Sequence, residues 1–220
     1  MLADETIPQI RPVRAEAWLE FVQVLTGVAL VAFMWMHMLL VASINVDLGG
    51  GRVLNLIARF FEASDMTQIG GPLIAAVMLV HFVVAARKLP LRVREQRAIW
   101  SHSLSFHHTD TWLWVVQAGT AFIILILGSI HMWTVLTTLP ITAAKSAGRI
   151  QGRWWLGFYL VLLPMVELHV GIGVYRAGVK WGLIKRASRK ASARFETKLA
   201  LAMIAIGLVS LFTFLVLTKA

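Results

Sequence analysis

Four histidines lie inside apolar stretches of this chain, one to a stretch: His37, His81, His131 and His169. A fifth ionisable group, Glu167, sits two residues before His169 in the run WWLGFYLVLLPMVELHVGIGVYRAGVKW. Such groups inside hydrocarbon cost about 3 kcal/mol or more unless paired or ligated, and they mark functional positions. Neutral imidazole is the commonest metal ligand among side chains. Two imidazoles from facing helices hold a flat metal macrocycle between them, and bis-histidine ligation of haem iron leaves no axial position for oxygen or substrate. A centre of that kind carries electrons. One histidine alone is accounted for by a hydrogen bond between helices; four, distributed one per stretch, point to ligation.

The elements that must position them are membrane helices. Of 220 residues 58% are hydrophobic, and a mean hydropathy of +0.74 lies outside the range of soluble domains. A bilayer span takes about 20 mainly apolar residues. Five stretches meet that length, 18–44, 69–86, 112–139, 154–179 and 198–217, within one membrane domain over 1–220. The expected fold is therefore all-α, a bundle of five transmembrane helices. Gly49, Gly50 and Gly51 break the chain after the first span, and the partly amphipathic stretch to Asp65 belongs at the interface. Thr109 and Asp110 are N-cap candidates for the third span, and Pro140 ends it. Pro164 falls inside the fourth, where neighbouring helices satisfy the freed carbonyl.

Charge sets the orientation. Fifteen lysines and arginines fall on the N-terminal side of the spans and six on the other, so the positive-inside rule places the N-terminus in the cytoplasm and the C-terminus in the periplasm. The net charge of +10 is thus explained by topology; no basic stripe with interleaved aromatics points to nucleic acid. The absence of cysteine excludes disulfides and iron–sulfur ligation within the chain. Its start, MLADETIPQIRPVRAEAW, lacks the apolar run of a signal peptide.

Alternating directions sort the histidines by depth. Each lies roughly 3 to 6 residues past the middle of its span, or about 5 to 9 Å. His37 and His131 therefore approach the outer face, and His81 and His169 the cytoplasmic face. Two pairs at two levels would hold two haems, whereas a zinc or copper site needs convergence at one level. Small residues Gly128, Gly171, Gly173 and Ala85 accompany the ligands, as both a macrocycle and close helix packing require. His102, His107 and His108 fall in the loop before the third span, as surface or partner-contact residues.

Five spans with these four histidines, GSIHMW around His131, LVLLPMVELHVGIGVYRAGVKWG around His169 and KLP after the second span together resemble the dihaem cytochrome b subunits of quinol:fumarate reductases, in their single-chain, five-helix, menaquinol-using form. The likeness spans about Trp18 to Lys219. It implies two haem b groups, the outer on His37 and His131 and the cytoplasmic on His81 and His169, the pairing that topology gives independently. It implies further that Gln23, Trp114 and Lys180 lie near the propionates of the cytoplasmic haem and Arg149 near those of the outer one; the plainer account of Lys180 and Arg149 is headgroup anchoring. Glu62 matches the carboxylate that accepts a proton from menaquinol, and Glu167 a relay in a transmembrane proton path. Read without the likeness, Glu62 is an interfacial acid near a helix start and Glu167 a buried acid bonded to a neighbouring helix.

The resemblance also implies partners: an iron–sulfur subunit and a flavoprotein with FAD on the cytoplasmic side, in a heterotrimer able to pair as a dimer, set in a bacterial inner membrane. The expected function is electron transfer from menaquinol to fumarate reduction. Three alternatives stay open: the same chain running from succinate to menaquinone, the cytochrome b anchor of a hydrogenase or formate dehydrogenase, and a haem-free transporter or scaffold.

Overall fold

The structure, a computed structural model, describes residues 13–47, 50–90, 92–106, 109–152 and 154–217, with backbone only at 13, 99, 102–106 and 109–110. Among the described residues every regular element is helical: α1 (Val13–Ala42), α2 (Arg52–Ala63), α3 (Met66–Ala86), α4 (Val93–Phe106), α5 (Thr109–Leu136), α6 (Ala143–Ile150), α7 (Trp155–Lys180) and α8 (Arg189–Val216). Helices α1, α3, α5, α7 and α8 are long and apolar enough to cross a membrane. Their apolar residues run all round the helix rather than along one stripe, which suits a segment whose outer side meets lipid. Phe33, Leu79, Ile126, Leu168 and Phe212 are accordingly exposed.

The span limits shift at several ends. α1 begins at Val13, five residues before the expected limit, α3 and α5 each begin three residues early, α5 stops at Leu136, three residues before its expected end, and α8 begins at Arg189, well before Lys198. Helical hydrogen bonding continues through polar residues at an interface, so hydropathy alone places such ends poorly. α5 begins at Thr109, which makes Thr109 and Asp110 helical residues rather than caps; their side chains are not described. The N-terminal stretch to residue 12, His107, His108, Arg153 and Lys219 lie outside the described residues.

The five long helices form a closed ring. α1 packs on α3, α3 on α5, α5 on α7, α7 on α8, and α8 on α1. α1 and α5 thus face one another across the ring, as do α3 and α7. α8 wedges between α7 and α1 at Gly207, where an added Cβ would stand 2.7 Å from Leu163 Cδ2 and 3.0 Å from Met38 Cε. A larger residue there would have to displace the tips of the Leu163 and Met38 side chains.

The two faces of the ring are closed differently. At the face where α1 ends, the short helices α2 and α6 form a cap over a core of Ile44, Leu54, Ala143, Ala147, Ile150 and Phe214. Asp47 accepts from the amides of Arg52 (2.7 Å) and Gly51 (3.2 Å), satisfying donors at the start of α2. Burial works against that charge, but these amide bonds hold the Asp47 carboxyl below its ordinary range. Gly51 takes φ +71°, and an added Cβ there would lie 2.5 Å from Ala143 Cβ. Asn55 accepts from the Ala143 amide at 2.8 Å, tying α2 to α6. The Gln151 amide caps the end of α8 on the carbonyls of Phe214 (3.1 Å) and Leu217 (2.8 Å).

At the opposite face one carboxylate gathers three helices. Glu20 of α1 bonds Arg87 and Lys88 at the end of α3, each at 2.6 Å, and Lys180 at the end of α7. Glu16 adds a contact to Arg87 at 3.6 Å.

Candidate functional site

The histidines face one another across the ring. His37 on α1 and His131 on α5 have ring centroids 5.8 Å apart and planes inclined by 62°. Phe33, one turn before His37, stacks on it at 5.8 Å and 15°. His131 Nδ1 is 3.1 Å from the Tyr159 hydroxyl of α7. Arg149 of α6 stands over the Trp155 ring at 5.9 Å and donates to Thr138 Oγ1 at 2.8 Å, at the same end of the bundle.

His81 on α3 and His169 on α7 lie toward the other end of the ring, each held by a threonine of the helix that packs beside it. His81 Nδ1 is 3.0 Å from Thr26 Oγ1 of α1, and its Cε1 lies over Gly27, where a Cβ would come within 3.2 Å. His169 Nδ1 is 3.2 Å from both Thr120 Oγ1 and the Gln117 carbonyl of α5. Gly173 leaves room for the Gln117 amide, which would meet a Cβ there at 2.9 Å.

A repeated spacing underlies this arrangement. In α1 Gln23 is followed by Thr26 and His37, and in α5 Gln117 is followed by Thr120 and His131, at identical intervals of three and eleven residues. Eleven residues make about three turns, so threonine and histidine share a face some 16 Å apart along the axis. Each threonine meets the histidine of the helix that packs beside it, His81 in the first half and His169 in the second. Each glutamine side chain also accepts from an arginine late in that same helix: Gln23 from Arg87 at 3.2 Å, Gln117 from Arg176 at 2.9 Å. The halves α1–α3 and α5–α7 thus share one pattern of contacts, in which His37 corresponds to His131 and His81 to His169. Thr26, Thr120, Gln117 and Tyr159 escape a reading centred on histidines and carboxylates; comparing the two halves in register would have found the first three.

The pairs fit a haem. An imidazole nitrogen sits about 2 Å from a metal it ligates, so two rings sharing one metal have centres roughly 6 Å apart once ring size is added. His37 and His131 meet that spacing. Helices that face across the ring instead of packing supply the width.

The other candidates are placed as follows. Glu167 is 2% exposed in the middle of α7, and its Oε1 has no hydrogen-bond partner. Glu62 is half-buried near the end of α2, at the turn into α3. Gln23 and Lys180 join the Arg87–Glu20 cluster on the His81/His169 side, and Trp114 is half-buried in the early turns of α5. Glu62 and Glu167 sit on separate elements rather than in one acidic pair. His102 lies in α4, its side chain undescribed.

The sequence model of the succinate dehydrogenase/fumarate reductase transmembrane subunit matches residues 93–209. The chain belongs to this family. Two strains of Helicobacter pylori have a fumarate reductase cytochrome b subunit 33% identical to it over 202 residues, covering 87% of this chain and 78% of the relative. The fumarate reductase cytochrome b subunit of Wolinella succinogenes is 34% identical over 184 residues, 80% of this chain and 71% of that one. The resemblance read from the histidine spacing and the VELH segment therefore holds: this is a cytochrome b membrane subunit of the fumarate reductase type. As a cytochrome b it takes haem, and as a family member it associates with other subunits of an oxidoreductase. That family accounts for the chain where a hydrogenase anchor or a haem-free scaffold does not.

Proposed function

We propose that this subunit oxidises menaquinol near one face of a bacterial inner membrane and passes the electrons, through two haems b, to an iron–sulfur subunit on the other. The observation that carries the reading is the approach of His37 and His131, from helices that face across the ring, to 5.8 Å between ring centroids. Each haem, once bound, accepts and releases single electrons through its iron. The residues do the rest. His37 and His131 hold the outer group; His81 and His169 hold the cytoplasmic one. Lys180, Gln23 and Trp114 bring positive charge and hydrogen-bond donors to the propionates on the inner side, and Arg149 does so on the outer side.

Menaquinol loses two protons with its two electrons, and fumarate takes up two of each to become succinate. Glu62, half-buried at the turn where α2 enters α3, takes a proton from the quinol hydroxyl. Glu167 carries a proton through the interior, its unpartnered oxygen open to a donor arriving from either side. Electrons moving inward against the membrane potential cost about 2.3 kcal/mol per charge per 100 mV, and a proton moving the same way cancels that work. The basic loops at the inner face receive the iron–sulfur subunit, with an FAD-bearing flavoprotein beyond it. Run in reverse, the same path serves succinate oxidation.

Haem content of the purified protein tests the reading. A pyridine haemochrome assay should return two haems b per chain; one or none would overturn it.

A further inference from the structure

We infer that Thr26 and Thr120 are positioning residues that set the tautomer of both histidines at the cytoplasmic level, so that each presents a bare Nε2 to one haem. The inference rests on the proposed ligand role of His81 and His169, and it concerns how those ligands are prepared. A threonine hydroxyl has one proton to give. Thr26 gives its proton to the Val22 carbonyl at 2.7 Å, and Thr120 gives its own to the Val116 carbonyl at 2.8 Å, each one turn back in its own helix. Toward the imidazole each oxygen can then only accept. At His169 a main-chain carbonyl enforces the same direction, because a carbonyl never donates: Gln117 O receives from it at 3.2 Å. Both histidines must therefore carry their proton on Nδ1. The lone pair of a neutral imidazole is then left on Nε2, the nitrogen free to ligate.

The outer level lacks this closed logic. Among the described residues no carbonyl accepts from the Tyr159 hydroxyl beside His131 Nδ1, and His37 is stacked face to face by Phe33. A hydrogen bond from Nδ1–H to oxygen makes an imidazole a more basic ligand, which favours ferric over ferrous iron. The threonines therefore hold the cytoplasmic haem at a lower potential than it would have without them.

The test is a redox titration of the complex, following the spectral component that His81→Ala removes and the one that His131→Ala removes. Thr26→Val keeps the branched shape and loses the acceptor. It should move the first component to a more positive midpoint and leave the second in place; Thr120→Val should do the same, and the double variant should move it further. Loss of the first haem alone in the double variant would also support the assignment. Thr26→Ser, which keeps a hydroxyl, should restore the wild-type midpoint. An unmoved first component, or equal movement of both, would overturn the inference. A wild-type protein without haem would instead defeat the proposed function, so the two failures are distinct.

Discussion

The imidazoles of His37 and His131 come within 5.8 Å of each other although their helices do not pack together. Long side chains reach inward from opposite sides of a ring whose neighbours are α3, α7 and α8. Loss of either partner should then abolish the same centre. His37→Ala and His131→Ala should each delete the same haem component from the optical spectrum and leave the other intact. If His131→Ala deleted the component lost in His81→Ala, the pairing would be wrong.

Glu62→Gln keeps size and hydrogen bonding but removes the basic oxygen, so menaquinol oxidation should fall by about 10²-fold or more. Both haems should remain, and fumarate reduction fed directly by an artificial donor should be near normal. Unchanged turnover with a menaquinol analogue would leave Glu62 an interfacial acid.

Glu167→Gln should also spare the haems and slow quinol oxidation, with the greater effect in sealed vesicles carrying a membrane potential than in detergent. A potential-independent loss would assign Glu167 to packing instead.

Glu20→Ala leaves Arg87, Lys88 and Lys180 together without their shared carboxylate. With a side chain 22% exposed, Glu20 is shielded enough for the loss to be felt. A cost of about 2 kcal/mol, between exposed and buried ion pairs, corresponds to a fall in Tm of roughly 4 to 8 °C for a chain of this size. Thermal unfolding in detergent measures it.

Asp47→Asn should destabilise the cap at the other face in a pH-dependent way. The carboxyl's folded value is depressed, so its contribution is complete above the unfolded value of about 4 and disappears as pH falls through the folded one. Tm of wild type and variant should differ at neutral pH and converge in acid.

Much of this was legible because hydrophobic length and loop charge are read residue by residue. The five spans follow from apolar runs, and the depth of each histidine follows from the direction of its span. What depends on distant partners was not legible. Asn55 looks like any polar residue of an amphipathic stretch until Ala143 donates to it from eighty-eight positions away. α6 lies in a segment of glycine, lysine and serine whose helix is sustained by burying Ala143, Ala147 and Ile150 against α2 and α8. Thr26 and Thr120 are ordinary helical threonines by type, and only the spacing shared by α1 and α5 sets them apart.

The position of α8 has a consequence for biogenesis. All four histidines precede Arg189, so a chain leaving the ribosome carries all of them while the side between α7 and α1 still lacks its wall. Until then that side of the bundle is open. Arrival of the last helix, seated at Gly207 and latched by Gln151, shuts it.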